Sequence, residues 1–176
     1  ALEEHRKKLL EKKKQLDLLI ANVEKTIASM EGRMKMSDKE KFEGFKQKMM
    51  DENEKLYGKE IREKYGEDNV ENSYRKFKNM TKEQYDEAVR LENEMLETLE
   101  AAFKTGDPAG ELAQKAADLH RRWLCCYWDN YTKEAHAVVA QMYVDDARFT
   151  IYYDKKQPGL AAFLRDAVYV YTGMGK

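Results

Sequence analysis

The sequence predicts an all-α protein, an N-terminal coiled-coil helix followed by a helical domain. Three observations carry that reading. An apolar residue recurs every seven positions through the first thirty residues. Two Ser/Thr-x-x-Glu/Gln boxes further along open amphipathic stretches. No alternation of apolar and polar residues runs long enough to build a sheet, and the β-leaning pieces Tyr152-Tyr153 and Val168–Tyr171 are short.

The heptad runs Leu2, Leu9, Leu16, Val23, Met30, with Leu19, Ile20 and Ile27 on the neighbouring stripe. Between them lie HRKK, EKKK and NVEK, the solvated faces. Such a narrow seam, held at a seven-residue period, predicts a coiled coil about 45 Å long at 1.5 Å per residue. A lone helix of that shape leaves its seam wet, so Leu2, Leu9, Leu16, Leu19, Val23 and Ile27 are the expected homodimer contacts. The polar His5 and Lys12 weaken the seam's first half. Gly32 with Arg33 marks the stop.

Ser37 caps the next helix, and Glu40 three residues on completes a capping box ahead of Phe42 and Phe45. This segment continues through LYGKEIREKYG, rich in charge and poor in aliphatics. It buries little apolar area per ordered residue, so residues 33–75 are expected to be the loosest, lid-like part. Thr81 and Gln84 form the second capping box, opening a helix through Leu91, Met95, Leu99 and Phe103. Asp107 then caps, with Pro108 in the first turn, a long aromatic helix over 108–143 with a bend near Asn130–Thr132. Residues 145–157 read as a polar connection, and Pro158 starts the final helix.

Of the 176 residues 37% are charged, yet the net charge is −1, so no nucleic-acid surface is advertised. No apolar run reaches the roughly 18 residues that would span a bilayer. The start, ALEEHRKKLL, has no signal-peptide core and reads as cut from a longer helix. The two cysteines, Cys125 and Cys126, make no disulfide framework, and a reducing cytoplasm is the expected location.

Trp123, Tyr127, Asn130 and Tyr131 follow helical spacing along one face, with Trp128 about 100° round from Tyr127. A cluster this wide exceeds one buried stripe. Large rings with a polar tip suit a drug-sized cleft. Phe45, Phe149, Tyr152 and Phe163 complete the expected ligand-binding set. Ordinary core packing is the alternative for each residue singly. His120 and His136, sixteen apart, are too distant along one helix to share a ligand, and no metal-ligand spacing occurs. His136 reads as a hydrogen-bonded structural histidine, and neither a metal nor a cofactor is expected. Cys125 and Cys126 point about 100° apart, which sets a vicinal disulfide against the helix. One buried and one partly exposed thiol is the expectation, with nearby Arg121 and Arg122 able to activate a thiol for redox or electrophile sensing. Asp145, Asp146, Arg148, Arg165 and Asp166 read as caps and ion pairs. No nucleophile–base pair, phosphate loop or carboxylate pair stands out, so an enzyme is not expected.

Two C-terminal blocks are the most specific part of the chain: Tyr143-Val144-Asp145-Asp146-Ala147-Arg148-Phe149-Thr150 and Pro158-Gly159-Leu160-Ala161-Ala162-Phe163-Leu164-Arg165-Asp166-Ala167. They resemble the signature of the thiostrepton-induced, TipAS-type effector domain of MerR-family activators. Phe42-Glu43-Gly44-Phe45, His120-Arg121, Glu134 and His136 extend the likeness, and residues 2–30 are similar to the dimerisation helix of MerR regulators. The likeness is dense over 134–167 and thin over 46–115. It implies a globin-like helical domain with a cleft for bulky antibiotics, an N-terminal part that orders on binding, and a coiled-coil dimer. DNA would be met only through the family's winged helix-turn-helix, which these residues lack.

The family captures thiopeptides covalently through the cysteine of a Tyr-Asp-Cys motif. Counting back from Met142-Tyr143-Val144, that motif falls on Asp129-Asn130-Tyr131, so Tyr131 stands at the cysteine position. A second family cysteine corresponds to Val138, and Cys125 and Cys126 lie more than one helical turn upstream. The resemblance therefore implies noncovalent binding of a bulky hydrophobic or aromatic small molecule. The expected organisation is a dimerisation helix over 1–31 and a ligand-binding domain over 32–176, with 33–75 closing over the ligand. The competing readings are a redox or electrophile sensor through Cys125 and Cys126, and a coiled-coil adaptor with no ligand.

Overall fold

A computed structural model describes residues 2–30 and 37–174. Among these residues it contains eight helices and no strand: α1 (Leu2–Met30), α2 (Asp38–Tyr65), α3 (Glu67–Asn79), α4 (Lys82–Phe103), α5 (Glu111–Tyr127), α6 (Lys133–Asp145), α7 (Ala147–Asp154) and α8 (Leu160–Thr172). The predicted stop at Gly32-Arg33 lies outside the described residues, as does the side chain of Met30. The chain separates into two compact units, residues 1–60 and 61–176.

In the first unit α1 is one uninterrupted helix whose seam residues Leu2, Leu9, Leu16, Leu19, Val23 and Ile27 are all exposed. Lys25 pairs with Glu40 at 3.1 Å. The Ser37 box forms as expected: the Glu40 backbone N–H donates to Ser37 Oγ at 3.2 Å, and the Ser37 N–H donates to Glu40 Oε2 at 3.0 Å.

The second unit is a helical domain with its core on α4, α5, α6 and α8. Leu91, Met95, Leu99 and Ala102 line one face of α4, and meet Ala113, Ala116, Ala117 and Leu119 of α5. The alanines let these two helix backbones approach closely. Leu160, Phe163, Leu164, Ala167 and Val168 of α8 fill the other side, with Ala140 and Tyr143 of α6. Gln114 Nε2 spans two connections, donating to the Pro108 carbonyl at 2.8 Å and the Ala167 carbonyl at 3.2 Å.

Four boundaries differ from the sequence reading. The long helix over 108–143 is two helices, because the chain turns extended at Trp128 (φ −100°, ψ 136°) and restarts at Thr132, whose hydroxyl accepts from the Ala135 N–H. Its start is Glu111, while Asp107 closes a turn by accepting from the Ala109 N–H at 2.9 Å. Within the expected connection 145–157, Asp146 accepts from the Arg148 N–H and opens α7. The last helix begins after Pro158-Gly159, where Gly159 takes φ +94° and the Asp154 carboxylate accepts from the Gly159 and Ala161 N–H groups.

Candidate functional site

The break at 128–132 makes the site. It turns α6 out of the line of α5, so two histidines that a continuous helix would hold far apart come into direct contact. His120 Nδ1 lies 2.8 Å from His136 Nε2, which corrects the separation expected from sequence. Both are buried, and each has a tyrosine on its other nitrogen: Tyr143 Oη is 3.2 Å from His120 Nε2, and Tyr131 Oη is 3.0 Å from His136 Nδ1. His136 is thus hydrogen-bonded at both nitrogens, as a structural histidine would be. Burial, with the neighbouring His136 ring, holds His120 well below the usual imidazole range. Burial first and Arg121 second bring His136 down to about 4. Both rings are therefore neutral at pH 7.

Aromatic rings surround this pair. Trp123 stacks on His120 with centroids 5.7 Å apart, and Tyr127 meets Trp123 edge-on at 5.3 Å. Tyr171 meets His136 edge-on, and its hydroxyl donates to Asp118 Oδ1 at 2.7 Å. Tyr143 carries the cluster to Phe149 (5.6 Å) and Tyr153 (4.9 Å), and Tyr153 carries it to Tyr152. Trp123 Nε1 is buried with no hydrogen-bond partner, an uncommon state for an indole that a ligand acceptor would relieve.

Of the expected ligand-binding residues, Trp123, Tyr127, Tyr131, Phe149 and Tyr152 join this network. Tyr152 is half exposed and donates its hydroxyl to Glu92. Trp128 ends α5 and presents its carbonyl to Lys76, which also donates to the Cys125 carbonyl at 2.9 Å. Phe163 lies in the core, edge-on to Phe103 at 5.4 Å. Phe45 belongs to the first unit, where it stacks on Phe42 at 6.1 Å. Sequence reasoning did not select Tyr143, Tyr153 or Lys76 as site residues. Their selection needs the helix break, and the poor helix formers Asp129-Asn130 ahead of a capping Thr132 are its only local signal.

A cleft of about 630 Å³ opens on the other side of the break, lined by Arg75, Lys76, Met80, Glu87, Cys125, Cys126 and neighbours. Both thiols are free and half-buried, rather than one buried and one exposed. Burial, Cys125 and Glu87 push the Cys126 thiol up, against the activation expected from Arg121 and Arg122. Among the described residues, no three His, Cys, Asp or Glu side chains are disposed to hold a metal ion, and no helix is long and apolar enough to cross a membrane.

Comparison with known proteins gives the family of the chain. The profile of the TipAS antibiotic-recognition domain matches residues 57–171. The HTH-type transcriptional activator mta of Bacillus subtilis is 26% identical over 171 residues, covering 97% of this chain and 66% of that protein. The HTH-type transcriptional activator TipA of Streptomyces coelicolor is 32% identical over 155 residues, covering 87% of this chain and 60% of that protein. The chain thus spans 60% to 66% of the length of these curated relatives. A solved structure of TipAS from Streptomyces lividans in complex with nosiheptide, from a thiopeptide antibiotic multidrug resistance system, matches with a TM-score of 0.55 and 33% identity, covering 80% of this chain and 97% of that one. On the extent of the profile match and the agreement of fold, this chain belongs to the TipAS antibiotic-recognition domain family.

Proposed function

We propose that this chain is the ligand-sensing and dimerisation part of a MerR-type, antibiotic- or multidrug-responsive transcription activator of the cytoplasm. It binds a bulky hydrophobic or aromatic small molecule noncovalently, and DNA contact resides in the helix-turn-helix portion of the relatives that these residues do not span. The observation that carries the reading is the aromatic network gathered by the helix break, with Tyr131 at its open end. The family resemblance puts a ligand-capturing cysteine at that position. A phenol in its place supplies a ring and a hydroxyl but no nucleophilic thiol, hence noncovalent binding. Residues 33–75 order over the ligand, and α1 carries the change to the DNA-binding portion. A ligand shifts such an equilibrium only by its differential affinity for the two states.

Thermal unfolding against bulky antibiotics, cationic dyes and thiopeptides, nosiheptide included, tests this. A binder at a hundred times its Kd adds about 2.7 kcal/mol, a rise of several degrees. Tyr131→Ala should weaken the binder about tenfold or more, and intact mass of the complex should show no adduct. No shift across the panel, or a Tyr131→Ala affinity equal to wild type, would remove the reading. The second reading, an electrophile sensor, is favoured only by the cleft that Cys125 and Cys126 share. The raised Cys126 pKa works against it by lowering the thiolate fraction. Loss of the response on thiol blocking would support it.

A further inference from the structure

We infer that the chain Tyr143–His120–His136–Tyr131 is hydrogen-bonded in one direction only, so that Tyr131 meets its ligand as a donor and the site selects molecules bearing a hydrogen-bond acceptor there. The ligand half of this inference rests on the sensor reading above, whereas the direction of the chain does not.

The argument is a count of protons. A neutral imidazole carries one N–H and one lone pair. The contact between His120 Nδ1 and His136 Nε2, at 2.8 Å, needs one proton between the two nitrogens. Two would collide, and none would press two lone pairs together. That leaves two arrangements. In the first both rings are protonated at Nδ1: Tyr143 donates to His120, His120 to His136, and His136 to the Tyr131 oxygen, leaving the Tyr131 O–H free. In the second both rings are protonated at Nε2, Tyr131 donates inward, and the spare O–H falls on Tyr143.

The surroundings of the two ends choose between them. Tyr143 is 4% exposed, and its hydroxyl lies 3.2 Å from His120 Nε2. In the second arrangement that hydroxyl only accepts from His120, and its own proton is left in the core, a costly state. In the first arrangement the Tyr143 O–H donates to His120 Nε2 and every inner proton has an acceptor. The spare O–H then sits on Tyr131, in the partly exposed segment between α5 and α6. Around that end the Arg121 guanidinium lies 5.9 Å from the Tyr131 ring centroid, and Arg121 Nε donates to the Tyr171 hydroxyl, which donates to Asp118. A buried donor without an acceptor, Trp123 Nε1, lies beside the chain on the ring stacked against His120. One unmet buried donor and one outward O–H, with no unmet buried side-chain acceptor among the described residues, favour ligands rich in carbonyl oxygens or ring nitrogens.

Long-range proton–nitrogen correlation spectra of ¹⁵N-labelled protein at pH 7 read the tautomers directly in the unliganded chain. The expected result is Nδ1–H for both His120 and His136. An Nε2–H or cationic form at either ring overturns the inference. The acceptor preference is tested with acetophenone and α-methylstyrene, which differ in a carbonyl oxygen against a methylene of similar shape. Tyr131→Phe should lower the ketone-to-alkene affinity ratio about three- to tenfold, the worth of one neutral hydrogen bond. An unchanged ratio overturns the preference. A drug panel without a binder would remove the sensor reading and leave the tautomers standing. Nε2–H tautomers would remove the chain's direction and leave a ligand's thermal shift standing.

Discussion

His120 and His136 are buried against each other with no carboxylate at either ring, an arrangement that only neutral imidazoles tolerate. The unfolded chain binds protons at these positions near pH 6.5, but folded His136 does so only near 4. Below pH 6.5 the unfolded state therefore holds more protons, and stability falls with falling pH, levelling out near 4. Across that window His136 alone accounts for about 3 kcal/mol, because each pH unit between the folded and unfolded values is worth about 1.36 kcal/mol. Carboxylates with lowered values, such as Asp118 and Asp146, lose their contribution only below their ordinary range and so act at the acid end. Urea unfolding between pH 4 and 8 should show the loss, and His136→Gln should flatten it. A profile flat between 6.5 and 4.5 in the wild type would contradict the burial of neutral rings.

The helices differ in how openly the sequence declares them. Both capping boxes form because a hydroxyl and a carboxyl or amide group three residues apart satisfy two backbone donors within one turn, whatever the rest of the chain does. Thr81→Ala should accordingly cost about 1 kcal/mol in denaturant unfolding, and a loss no larger than error would show the box to be dispensable. The stop at Gly66, which takes φ +83°, is equally local. The break after Tyr127 is not. The aromatic spacing runs on across it without glycine or proline, and what holds it open comes from another helix. Lys76 of α3 donates to the carbonyls of Cys125 and Trp128, at the C-terminal end of α5 where the helix dipole favours a cation. α7 was hidden for a related reason: Thr150, Ile151, Tyr152 and Tyr153 are β-leaning residues, made helical by the Asp146 cap and the burial of Tyr153. Hence the aromatic residues of the site were legible as a set, while their grouping around His120 and His136 was not. Lys76→Met should cost about 1 to 3 kcal/mol, since it leaves two helix-end carbonyls without their charged donor. It should also speed amide exchange in α3 more than in α8, and equal exchange in both would argue that Lys76 does not anchor α3.

At the scale of the whole molecule, α1 carries a continuous run of exposed apolar side chains. Leu2, Leu9, Leu16, Leu19, Val23 and Ile27 stay between 38% and 85% exposed, and Leu10, Leu18 and Ile20 add to the wet apolar area. A solvated 29-residue helix gains little from propensity alone, so an apolar seam this long implies a partner helix. The partner we propose is a second copy, whose identical seam would be self-complementary and close the assembly as a two-fold dimer. His5 and Lys12 sit in that seam, where polar side chains disfavour association of the first half, and the contact should therefore centre on Leu16, Leu19 and Val23. Light scattering should give twice the 20.7 kDa chain mass at micromolar concentration, and Leu16→Glu with Val23→Glu should return it to the single-chain mass. Those substitutions lie on the seam and outside the unit that carries the His120–His136 network, so the thermal shift from a bound ligand should persist in the variant. A wild-type chain that stays monomeric would remove the dimer. A variant that loses both dimer and ligand response would instead make the two inseparable.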